Sequence, residues 1–219
     1  FQPVYGGEIQ NRGLGMDVDI FDEKGLSIKN VKGELVCKTP FPSMPIKFWN
    51  DDEDKKYKSA YFEKYKNVWH HGDFAKITDN GGFIIFGRSD TTLNPGGVRL
   101  GTAEIYNVVE KFDEIQESIV IGQSWKNDIR IILFVVLNSG YHLNSEIKDK
   151  IKKAIKSEAS PRHVPSKIIS ISEIPKTKNG KLVELAVKQT VEGEIIKNLE
   201  ALANPDSLKQ FKNIKELNE

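Results

Sequence analysis

The apolar residues of this chain change their period once, near Arg88, and that change bounds the fold. Before it, short runs rich in β-branched and aromatic residues, at 18–21, 34–38, 68–77 and 83–86, are separated by turn-forming stretches at 22–25, 39–45 and 78–82. Between the last two runs, Asp79-Asn80-Gly81-Gly82 is a hairpin signal. After Arg88 the spacing turns helical: Thr102 can cap a helix carrying Ile105, Val108, Val109 and Phe112 on one side. Strands are expected at 118–121 and 129–137. Asn144 or Ser145 then caps a second helix with Ile147, Ile151 and Ile155 on one face, stopping near Pro161. A strand at 167–171, a turn at 175–180 and a helix from about Leu182 follow, and residues 198–211 suggest a short helix that then frays. The expected class is α+β. Residues 1–89 form a β-rich piece, 90–195 a small α+β domain and 196–219 a helical tail, with the junction at Ser89-Asp90.

Composition narrows the function. With 219 residues, 38% hydrophobic and 29% charged, the chain can bury a real core and is not a disordered segment. A net charge of +1 offers no basic surface for nucleic acid and none for a membrane face. The most apolar run, 131–137, is too short to span a bilayer and reads as a buried strand. Cys37 is the single cysteine, which excludes an internal disulfide and suits a reducing compartment, the cytoplasm. The chain opens on Phe1, and its two methionines are Met16 and Met44, so a piece of a longer protein is the expectation.

Three stretches can carry chemistry. Gly72-Asp73 and Gly87-Arg88 fall at neighbouring ends of one expected hairpin. Asp is an acceptor-only group able to hold two vicinal ribose hydroxyls, and Arg is a planar donor suited to hydroxyl or phosphate oxygens. Taken alone, the same two residues make a surface pair worth little. In Asn94-Pro95-Gly96-Gly97-Val98-Arg99-Leu100-Gly101 the glycines let the backbone approach a ligand and Arg99 can meet a phosphate, or the stretch is a plain loop before a helix. In Pro175-Lys176-Thr177-Lys178-Asn179-Gly180-Lys181 the Asn-Gly pair demands a tight turn that presents Lys181. Its ammonium can offset charge developing in phosphoryl or adenylyl transfer, or it is one more solvated lysine among 32 Lys and Arg.

Adjacent His70 and His71 point to opposite faces of a strand and have no cysteine or third histidine nearby, so no metal site is assigned. The lysines of 148–156 read as the wet face of an amphipathic helix, with contact to the phosphates of a large anion as the lesser alternative. Trp49, Trp69 and Trp125 are expected to be packing residues.

No motif decides singly, but their order does. Trp69-His70-His71-Gly72-Asp73, Gly87-Arg88-Ser89-Asp90, Gly96-Gly97-Val98-Arg99 and the late Pro-Lys-Thr-Lys-Asn-Gly-Lys turn together resemble the AMP-forming acyl-CoA synthetase family of the adenylate-forming superfamily. The resemblance covers essentially the whole chain. It is most similar to the branch acting on acetoacetate, through Pro42-Ser43-Met44-Pro45, Phe48-Trp49-Asn50-Asp51, Leu93 to Arg99, Ser160-Pro161-Arg162-His163-Val164-Pro165 and the tail from Lys197 to Pro205.

The resemblance implies that residues 1–89 end a large N-terminal adenylating domain and that 90–195 are its small, movable C-terminal lid. It implies ATP, Mg and CoA, with acetoacetate or another short-chain acid such as acetate or propionate as the substrate, and the upstream N-terminal domain as partner. Asp73 would hold the ribose hydroxyls, Arg88 would support them, Arg99 would lie near phosphate or CoA, and Gly96 and Gly97 would line the pantetheine path. Asp90 would be the hinge, and Lys181 the lysine that stabilises adenylation. The family's phosphate loop and acyl pocket lie upstream of Phe1, so the 219-residue chain by itself is expected to be inactive. A non-catalytic binding module is the other class of function left open.

Overall fold

A computed structural model describes residues 2–196 and 199–218 of the chain. They form two compact units, Phe1–Asp90 and Thr91–Glu219. The class is α+β, as the change of period implies.

The first unit is built on a four-stranded antiparallel sheet in the order β1-β2-β3-β4. Its strands are β1 (Val18–Phe21), β2 (Gly33–Cys37), β3 (Trp69–Ile77) and β4 (Phe83–Arg88). Ile20, Ala75, Ile77 and Phe83 bury one small core against the sheet. The β3–β4 hairpin closes where Asn-Gly-Gly predicts it: Gly81 takes φ +81° and Thr78 N–H donates to Gly82 O at 2.9 Å. An element without a sequence signal, α1 (Lys55–Tyr61), packs against β3. Asp51 caps it by accepting from the Lys56 and Tyr57 amides, both at 2.8 Å. Tyr61 stacks on Trp69 at 3.7 Å between ring centroids, and Phe48 and Tyr57 meet edge to face at 5.5 Å. Trp69 is thus a packing residue. Trp49 is not: it is 90% exposed, a correction to the sequence expectation, because that cluster is filled by Phe41, Phe48, Tyr57, Tyr61 and Phe62.

The second unit centres on a three-stranded sheet. β5 (Ile115–Trp125) pairs antiparallel with β6 (Asp128–Leu137), and β6 pairs parallel with β7 (Lys167–Ser170). Both faces of this sheet are covered, which is why 131–137 is apolar without alternation. Ile131, Leu133 and Val135 face a core shared with α2 (Thr102–Val109) and α3 (Ser145–Glu158). Ile132, Phe134 and Val136 face a second core with Ile174 and with Val187 of α4 (Glu184–Glu192). Successive strand residues thereby serve opposite cores.

The caps follow their chemistry. Asn144, not Ser145, caps α3, accepting from Ile147 N–H at 2.9 Å, and Ile147, Ile151 and Ile155 are buried while Lys150, Lys153 and Lys156 are exposed. At α2 the cap is Gly101 rather than Thr102. Glu104 accepts the Gly101 N–H at 3.0 Å, and Thr102 begins the helix in a buried position. The described part of the tail does not fray but packs. Its 3₁₀ segments Pro205–Phe211 and Lys215–Leu217 bury Leu208, Phe211 and Leu217 in the second core, and Leu202, just after the 3₁₀ turn Leu199–Ala201, joins them. Phe211 meets Phe134 edge to face at 4.9 Å. Lys197 and Asn198, which open the tail motif, lie outside the described residues.

Candidate active site

The hairpin register sets Asp73 directly opposite Arg88. A bulge between Phe74 and Ala75 lies beside this pair, the kind of irregularity that re-aims a side chain at a strand end. Gly72 is required twice over: its φ is +83°, and a Cβ there would stand 3.0 Å from the Arg88 guanidinium. Asp90 grips that guanidinium with both oxygens, Oδ2 to Nη2 at 2.9 Å and Oδ1 to Nε at 3.2 Å. Nη1 donates to His71 O at 3.4 Å and lies 3.7 Å from Asp73 Oδ1. The hydrogen bonds from Arg88 to Asp90, helped by the charges of Asp90 and Asp73, push the Arg88 pKa up, so it is a permanent cation. Asp73 is more loosely held, with His71 Nε2 at 3.4 Å from Oδ2. A carboxylate on the sheet surface, with a fixed cation behind it and no short hydrogen bond saturating it from those two neighbours, can accept from a diol.

In the second unit, Leu93 and Leu100 pair in an isolated antiparallel bridge, each amide donating to the other's carbonyl at 3.1 and 2.8 Å. Both leucines are buried, so the loop between them is clamped at its base. At its tip Gly96 and Gly97 have φ of +58° and +77° and are exposed, and a Cβ at either would meet nothing within 4 Å. Their backbone is open to a ligand. Asp128 steadies the loop by accepting the Gly96 N–H at 2.9 Å. The amides of Ile129 and Gly96 hold the Asp128 carboxyl below its ordinary range. Arg99 is exposed on the same loop.

Lys181 is exposed at the end of a tight turn. Gly180 supplies φ +76°, its amide donates to Thr177 O at 2.8 Å, and Thr177 N–H donates to Lys181 O at 2.9 Å. Thr177 Oγ1 accepts the Lys181 amide at 3.1 Å. The turn rests on buried Ile174 and Pro175, and Lys176 pairs with Glu117 on β5.

No local pattern announces the side chains that join α2 to α4 just past this turn. Tyr106 on α2 donates to Glu184 on α4 at 2.5 Å and accepts from Val120 N–H at 3.0 Å. Burial and the Glu184 carboxylate push the Tyr106 pKa well up, so the phenol keeps its proton and its donor role. These partners are separated by 78 residues in sequence, beyond any local pattern. Asp73, Arg88 and Asp90 therefore meet in the first unit, and Gly96, Gly97 and Arg99 share one loop of the second, where Lys181 stands on its own turn.

Residues 104–181 match the family described as AMP-binding enzyme C-terminal domain. Over 216 residues the chain is 55% identical to an acetoacetyl-coenzyme A synthetase of Rhizobium meliloti (strain 1021), covering 99% of this chain and 33% of the relative. It is 46% identical over 217 residues to an acetoacetyl-CoA synthetase of Rattus norvegicus, covering 98% of this chain and 32% of that one. The chain thus spans about a third of the length of the curated relatives it matches. Among solved structures, the acetoacetyl-CoA synthetase from Streptomyces lividans superposes with a TM-score of 0.91 at 40% identity, over 99% of this chain and 33% of that one. A benzoate CoA ligase from Burkholderia xenovorans LB400 shares the fold, with a TM-score of 0.70 at 24% identity over 84% of this chain and 36% of that one. Nearly the whole of this chain is thus similar to about a third of these acetoacetyl-CoA synthetases, and residues 104–181 match the AMP-binding enzyme C-terminal domain.

Proposed function

We propose that the chain supplies the ribose-facing hairpin, the hinge and the lysine-bearing lid of an ATP-dependent acetoacetate–CoA ligase. The observation that carries this is the 55% identity, across 99% of the chain, to an acetoacetyl-coenzyme A synthetase. The order Asp73–Arg88, glycine loop, Lys181 turn supports it.

In the first half-reaction the acid's carboxylate oxygen attacks the α-phosphorus of ATP, pyrophosphate leaves and acetoacetyl-AMP forms. Negative charge accumulates on the phosphate oxygens. The ammonium of Lys181, held by a hydrogen-bonded turn rather than a free loop, is suited to offset it. Asp73 accepts from the ribose hydroxyls while Arg88, fixed by Asp90, stands beside that carboxylate and orients it. In the second half-reaction the CoA sulfur attacks the acyl carbonyl and AMP leaves with the bonding electrons. The Gly96-Gly97 backbone lines the pantetheine path, with Arg99 near phosphate. Asp90 serves as hinge between the two arrangements. Mg would be carried on the ATP phosphates rather than by residues of this chain. Among the described residues no group of three or more His, Cys, Asp or Glu could hold a metal. Cys37, buried and reduced, suits a cytoplasmic enzyme. Among the described residues no helix is long and apolar enough to cross a membrane.

The test is a panel of short acids with the whole protein that carries this chain, following AMP and pyrophosphate. Acetoacetate should give the highest kcat/KM. Preference for acetate or propionate would move the assignment to another ligase, and absence of AMP with every acid would favour a non-catalytic module. The 219-residue chain alone should form no acyl-AMP.

A further inference from the structure

We propose that the tail is a positioning element for the lysine turn, with Asn204 as its principal residue, and that it acts on the adenylation step rather than on folding alone. This rests on the role assigned to Lys181 above.

The family match ends at Lys181, so the tail lies beyond it. Yet the tail runs alongside the turn, joined to it by an isolated bridge. Thr177 and Leu202 pair antiparallel, Lys178 N–H donates to Ala201 O at 3.1 Å, and Ala203 N–H donates to Lys176 O at 2.9 Å. Asn204 then closes the arrangement with both ends of its amide. Oδ1 accepts the Lys176 N–H at 2.8 Å, and Nδ2 donates to Ile174 O at 3.0 Å. Asn204 is itself held, because its carbonyl accepts from Ser207 Oγ at 2.7 Å. Behind it Leu208 and Phe211 are buried in the second core. Backbone groups of residues 174, 176 and 178 thus hydrogen-bond to the tail, through its backbone or the Asn204 amide, while Tyr106 holds Glu184, beyond Lys181 in the chain.

A turn of exposed Lys178, Asn179, Gly180 and Lys181 has no core of its own to fix it. Two-sided bracing restricts where the Lys181 ammonium can reach. Catalysis by a point charge is sensitive to placement: a shift of about 1 Å can cost on the order of a hundredfold. The tail therefore matters most to the step that uses Lys181, and little to attack by CoA.

The experiment uses the whole protein with Asn204→Ala and, separately, Ala203→Pro, which removes one donor to the turn at an exposed position. Adenylation is read as acid-dependent pyrophosphate exchange, and thioester formation as CoA consumption from supplied acyl-AMP. Each variant should lose adenylation kcat by about tenfold or more, with KM for the acid and the thioester rate held within about twofold. Hydrogen exchange at the Lys178 amide should accelerate. Asn204→Asp, which keeps the acceptor for Lys176, should retain more adenylation than Asn204→Ala.

Faster exchange with unchanged adenylation would overturn the proposal by showing a tail that holds only the fold. Equal loss of both half-reactions would overturn it as general destabilisation. If the unsubstituted protein cannot adenylate, the ligase assignment itself fails, a fault visible before any variant is made.

Discussion

Glu34 is a carboxylate buried in a sheet and held from two directions. His70 Nε2 lies 2.9 Å from Oε2, and Lys64 pairs with Oε1. Burial raises its pKa, but the hydrogen bonds from His70 and Lys64 and their charges outweigh burial and hold it below the ordinary 4.5. A lowered pKa favours the folded state where the group is ionised. The contribution is complete above about pH 4.5 and is lost as pH falls through the folded value. Urea unfolding at pH 7, 5 and 3.5 should show a smaller acid-induced loss of stability for Glu34→Gln than for the unsubstituted chain; identical acid limbs would contradict this. At the proposed site, Asp73→Ala removes an acceptor for two hydroxyls. Even one lost hydrogen bond to a charged group costs about 1.5–3 kcal/mol, so KM for ATP should rise at least roughly tenfold in the whole protein. An unchanged KM would remove Asp73 from the ribose. The two carboxylates differ in legibility. Asp73 stands in a motif beside a hairpin, whereas Glu34 meets partners 30 and 36 residues away, and nothing local announces it.

At the level of elements, sequence periodicity worked where one apolar face dominates. α3 is the clearest case, with three isoleucines four residues apart and an asparagine cap. Ile151 is fully buried, so Ile151→Ala should cost about 2–5 kcal/mol, and the exposed cap change Asn144→Ala about 1 kcal/mol, both by chemical denaturation. A loss below about 0.5 kcal/mol at Ile151 would contradict the packing. Pattern failed where tertiary contacts supply the stability. α1 is seven residues long with three lysines, a poor isolated helix, and persists because its tyrosines pack with Trp69 and Phe48. β5 extends from Ile115 to Trp125 rather than 118–121, because Gln123, polar but buried, is satisfied by Arg130 at 2.9 Å. The sequence suggests a frayed tail because its apolar residues follow no helical or strand period. Each of Leu202, Leu208, Phe211 and Leu217 instead fills a place on a sheet face that only the folded chain defines.

For the whole molecule, the division into two units falls between Asp90 and Thr91. Asp90 is proposed as the pivot, and its fork on Arg88 gives that pivot a fixed anchor in β4. Asp90→Pro locks the local φ and should slow the overall ligase cycle in the whole protein while each half-reaction, started from its own substrates, is less affected. An unaltered overall rate would place the pivot elsewhere. Lys181 is proposed to serve only the first of the two reactions. The most direct measurement of this is Lys181→Ala in the whole protein, with pyrophosphate exchange and thioester formation from supplied acyl-AMP assayed side by side. The expected result is a loss of about a hundredfold or more in exchange with thioester formation preserved. Equal losses in both, or none in exchange, would contradict the account.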